Sequence, residues 1–109
     1  MFGPEFYRTV LPDRIRQECA ARPGQVPVVQ LKLGDGAALD VCHIIHLADR
    51  WLAVAYFRDT ERCEEMDIAF LAYEFVTRVT FSLHDPRARR LGFRIAEPEA
   101  QAVETGVTT

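Results

Sequence analysis

The stretch Ile68-Ala69-Phe70-Leu71-Ala72-Tyr73-Glu74-Phe75-Val76-Thr77-Arg78-Val79-Thr80-Phe81 decides what kind of molecule this chain becomes. From Thr77 onward, Val79, Phe81 and Leu83 alternate with Arg78, Thr80 and Ser82, the period of two that sends one set of side chains to each face of a β-strand. The rival reading is a helix over 64–78, on which Met66, Phe70, Tyr73 and Thr77 share a face. Aromatic and β-branched residues dominate the segment, and such residues lose side-chain freedom in a helix while packing well on a pleated surface. The reading is therefore two strands, about 67–73 and 77–83, hinged by a one-turn corner near Glu74.

Upstream, the same period recurs. Val29, Leu31 and Leu33 alternate with Gln30 and Lys32 over 26–33, and the run stops at Gly34-Asp35-Gly36, a hairpin signal with Gly36 at positive φ. A long second strand over 38–47 places Leu39, Val41, Ile45 and Leu47 on one face and Asp40, Cys42 and His46 on the other. His43 breaks this alternation, as in strands that bend to close small barrels. After the polar turn Ala48-Asp49-Arg50, residues 51–57 are apolar on both faces, so this strand reads as interior with Trp51, Tyr56 and Phe57 in the core. The segment 58–66 is polar and acidic. Before the strands, Leu11, Ile15 and Cys19 recur at helical spacing over 11–22, with Pro12 and Asp13 suited to the first turn and Pro23-Gly24 as the stop. The resulting organisation is an arm over 1–10, one domain over 11–95 and a flexible tail over 96–109, with fraying from about Glu97.

The length of 109 residues fits one domain with a real core. No apolar run is long enough to span a bilayer and none follows a basic leader, so the expectation is a soluble protein with no membrane partner. Cys19, Cys42 and Cys63 are odd in number and widely spaced, which suits free thiols in a reducing cytoplasm. A net charge of −3 argues against a polyanion binder held by bulk charge.

The order of one helix, the Leu31-Lys32-Leu33-Gly34-Asp35-Gly36 hairpin entry, a long bent strand, an Asp49-containing turn, an apolar third strand and two strands hinged by a short turn resembles the Sm-like family of small β-barrels. The resemblance implies a mainly β fold: an N-terminal helix followed by a five-stranded, strongly bent antiparallel barrel. It also implies assembly, since Sm-like barrels pair the fourth strand of one subunit with the fifth of the next, and here Ile68, Phe70, Ala72, Val79 and Phe81 would form that seam. The family reads an RNA base with an Asp, an apolar residue and an Asn in the turn after the second strand. This chain keeps Asp49 but follows it with Arg50 and Trp51, and it carries Tyr73-Glu74 where the family places Arg-Gly.

Three constellations carry chemistry. Cys42, His43 and His46, with Cys63, have metal-ligand types, but residues three apart on a strand face opposite ways, so no metal or other cofactor is expected. His84-Asp85 lacks a nucleophile placed by any motif and reads as a turn cap before Pro86. Arg87, Arg89, Arg90 and Arg94 form a basic cluster beside Phe93, suited to single-stranded RNA or to balancing Asp59, Glu61, Glu64, Glu65 and Asp67. The leading expectation is a non-enzymatic, homo-oligomeric Sm-like scaffold or interaction module. One alternative binds RNA through Asp49, Arg50 and the Arg87, Arg89, Arg90 and Arg94 cluster. A second is an α+β enzyme or ligand-binding domain around Cys42, His43 and His46, which needs the helix over 64–78.

Overall fold

The alternating segments become β1 (Val26–Leu33), β2 (Ala38–Leu47), β3 (Trp51–Phe57), β4 (Met66–Ala72) and β5 (Val76–His84). The computed structural model describes residues 1–95 and joins these strands into one antiparallel sheet in the order β4-β3-β2-β1-β5. The fold is mainly β with an N-terminal helix, as expected. Among the described residues the ladder stays open: β4 and β5 are its edges and do not pair with each other, so the expected barrel is an unclosed sheet. The rival helix over 64–78 does not form, because β4 and β5 are separated by a single 3-10 turn, Tyr73–Phe75. The expected tail over 96–109 lies outside the described residues.

The hairpin between β1 and β2 has the chemistry its sequence announces. Gly36 N–H donates to Leu33 O at 3.0 Å and Leu33 N–H donates to Ala37 O at 2.8 Å, closing a three-residue loop with Gly36 at φ +90°. The bend in β2 has a definite cause. Val41 and His43 oppose Tyr56 and Ala55, and Ile44 and His46 oppose Val54 and Ala53, so twice β2 advances two residues while β3 advances one. These bulges shift the phase of the strand: Val41, Ile44 and Leu47 contact the main core, while Ile45, expected beside Val41, is exposed.

The first ten residues are not an irregular arm. A π-helical turn, Phe6–Val10, runs into α1 (Leu11–Ala21), with Leu11 N–H donating to Phe6 O. Pro12 has no N–H for the normal bond to Arg8, and the wider turn just before it lets the helix continue past the proline. The continuous helix delivers Tyr7, Leu11 and Ile15 to the core beside Val29, Leu31, Val41, Leu52, Val54 and Tyr73.

β3 is apolar on both faces, but its two faces have different fates. Leu52 and Val54 enter the main core, whereas Ala55 and Phe57 join Cys42 and Cys63 in a second buried cluster. Trp51, expected in the core, is 40% exposed. After β5 the chain doubles back as a strap. β1 and β2 pair only from Val29↔Val41 to Lys32↔Ala38; past that point the strap bridges them, with Phe93 N–H donating to Pro27 O and Arg94 N–H to Cys42 O, both at 2.7 Å. Arg89 anchors the strap in a buried ion pair: its Nη1 donates to Asp40 Oδ2 at 2.9 Å, Nη2 pairs with Asp40 Oδ1, and Nε donates to Leu91 O at 2.8 Å.

Candidate functional site

The turn after β2 and the corner before β5 meet in space. Tyr73 N–H donates to Arg50 O at 3.2 Å and the Tyr73 hydroxyl donates to Ala48 O at 2.6 Å, so one tyrosine fastens the Ala48–Arg50 turn to the 3-10 corner. Tyr7 of the N-terminal helix stacks on the Tyr73 ring at 5.9 Å between centroids. Burial pushes the Tyr73 phenol above its ordinary pKa, with Arg8 opposing and Asp49 reinforcing that shift. Asp49, Arg50 and Glu74 are exposed around this junction.

The basic cluster expected near the C-terminus is divided by its own partners. Arg87 is bound bidentately by Asp85, with Nε at 3.1 Å and Nη2 at 2.8 Å, and the guanidinium holds the Asp85 carboxyl below its ordinary range. Arg89 is buried against Asp40 and lies over the Phe57 ring at 5.5 Å. Arg90 and Arg94 are exposed, and Arg94 places its side chain beside Cys42. The four arginines therefore do not form one open surface. The acidic loop is likewise occupied in part: Arg58 reaches Glu65 at 2.9 Å and Asp67 at 2.7 Å.

Cys42, His43, His46 and Cys63 are not brought together as a ligand set, since among the described residues no group of three or more His, Cys, Asp or Glu side chains could hold an ion. His43 Nδ1 lies 3.5 Å from Cys42 Sγ, while His46 contacts Trp51 at 5.4 Å between ring centroids. Burial pushes the Cys42 thiol up, which disfavours the reactive thiolate. At the end of β5 the strand period brings Ser82 Oγ within 3.0 Å of His84 Nε2, a pairing the sequence reading missed. Asp85 is turned to Arg87, so among the described residues no carboxylate orients this histidine. The core space lined by Tyr7, Leu11, Ile44 and Phe93 is too tight to admit a water molecule.

The residues expected at a seam sit on the two open edges. On β4, Ile68 and Phe70 are 60% and 71% exposed, with Ala72 exposed beside them. Trp51 meets the Phe70 ring edge-on at 5.8 Å, so the apolar surface continues onto β3. On β5, Val79 and Phe81 are half-buried on the core-facing side. No family model, curated protein or solved structure matches this chain. No helix of the described residues is long and apolar enough to cross a membrane.

Proposed function

We propose that this protein is a non-enzymatic Sm-like scaffold or interaction module that assembles head to tail from copies of itself. The supporting observation is the pair of open edges on one sheet, each carrying incompletely buried apolar side chains. Pairing β4 of one copy with β5 of the next satisfies both edges at once and extends the core-facing row Ala69 and Leu71 into Val79 and Phe81. A head-to-tail contact of this kind closes into a ring when its rotation permits.

Light scattering on the purified chain tests the reading. The expected mass is a multiple of 12.4 kDa, and a stable monomer at micromolar concentration overturns it. A second reading, RNA bound at Asp49 and Arg50, draws on the Tyr73 hydrogen bonds that bring the turn and the corner together. It ranks lower because Glu74 is exposed there and Arg87 and Arg89 already pair with acids. Salt-sensitive submicromolar RNA affinity, lost on changing Arg50 to Glu, would reverse that order.

A further inference from the structure

Lys32 and Arg78 stand directly opposite each other across the β1–β5 ladder, and both are exposed. Like charges at such positions repel. Among the described residues neither has a carboxylate at ion-pair distance, although six other arginines do. The adjacent pair on the same face is Gln30 opposite Thr80, also exposed, which adds an amide and a hydroxyl able to donate hydrogen bonds. Protection of an edge strand explains Arg78 on β5 but not Lys32, which lies on the interior strand β1.

An aromatic surface lies at the same end of the ladder. Leu33 pairs with Val76, and Gly34 N–H donates to Phe75 O at 2.8 Å. The 40% exposed Phe75 ring packs so closely on Gly34 that a Cβ there would lie 3.2 Å from two ring carbons. Two cations without an ion pair, two neutral donors and an exposed ring are thus gathered around the hairpin end of β1 and β5, where the exposed acids Asp35 and Glu74 flank Gly34 and Phe75.

We propose that the Lys32–Arg78 pair binds a phosphate group and that Phe75 stacks on an adjoining base, so that the ligand is a nucleotide. The cations supply the charge-assisted contacts and the ring supplies a base-tolerant face. This site borders the proposed β4–β5 seam, since Arg78 lies on β5, and Phe75 belongs to the corner that Tyr73 fastens to the Ala48–Arg50 turn.

Isothermal titration of the full chain with adenosine monophosphate, adenosine and inorganic phosphate tests the assignment. Adenosine monophosphate is expected to bind in the millimolar range or tighter, with adenosine and phosphate each about tenfold weaker. Lys32→Glu and Arg78→Glu should each weaken the nucleotide about tenfold with unchanged circular dichroism, while Arg14→Glu, at an exposed helix position, should leave it unchanged. Phe75→Leu should weaken the nucleotide but not phosphate. Absence of nucleotide binding at millimolar concentration, or an equal loss in Arg14→Glu, overturns the site; equal affinity for phosphate and nucleotide overturns the role of Phe75.

Discussion

Among the described residues, the Tyr7 hydroxyl is the one buried side-chain polar atom with no hydrogen-bond partner. Its ring fills the core and stacks on Tyr73, so the residue is retained by shape while its oxygen is left unsatisfied. Leaving such a group dry costs about 1–3 kcal/mol, and Tyr7→Phe is expected to stabilise the fold by about 1 kcal/mol in urea unfolding. Burial first, and the neighbouring Tyr73 second, push the Tyr7 phenol well above its ordinary pKa of 10.0. The unfolded chain therefore ionises before the folded one. This contribution to stability is complete below pH 10 and is lost as pH rises beyond it, and the loss should be smaller in Tyr7→Phe. Removing the polar group of Arg89 has the opposite effect on stability to removing that of Tyr7, because Arg89 and its partner Asp40 are both buried. Arg89→Met strands the carboxylate and should cost about 3–5 kcal/mol, whereas Asp40→Leu combined with Arg89→Met should recover most of that loss in the same assay.

Two glycines fix elements for different reasons. Gly36 has open space around it but a φ of +90°, so Gly36→Val should destabilise the β1–β2 hairpin by about 1–2 kcal/mol through backbone strain alone. A lowered urea midpoint with unchanged slope is the expected signature. Gly92 has the other problem: a Cβ would fall 1.9 Å from Pro27 O, inside the contact that seats the strap on β1. Gly92→Ala should lift the strap and speed tryptic cleavage at Arg90, while cleavage within the β1–β3 strands stays slow. Unaltered proteolysis would mean that Phe93 and Arg89 hold the strap without Gly92.

For the whole molecule, the apolar residues on the outer edge can be separated from those that make the core. Ile68→Lys with Phe70→Lys changes two exposed β4 residues and should reduce assembly toward monomer while keeping circular dichroism and most of the melting temperature. Leu71→Lys, directly after Phe70 in order but 7% exposed, should unfold the chain by burying an ammonium group. Full assembly in the double variant would place the seam elsewhere on the molecule.

Period-two alternation, the Gly34–Gly36 loop and the aromatic content of 68–81 determined the strands, because these signals are local to the backbone that obeys them. Alternation assigned Ile68, Phe70, Val79 and Phe81 to faces of their strands, whereas the expectation that these strands are edges came from the Sm-like resemblance, because strand order is not contained in any one segment. Tertiary structure alone decided the rest. Nothing near Arg89 in sequence reveals Asp40, 49 positions away, and desolvation of that pair removes an arginine that composition assigns to an open cluster. The bulges that moved Ile44 inward and Ile45 outward arise from pairing against β3, and the opposition of Lys32 and Arg78 arises from β5 returning to β1. Register is a relation between distant segments, set by the core they bury together, and a single segment does not contain it.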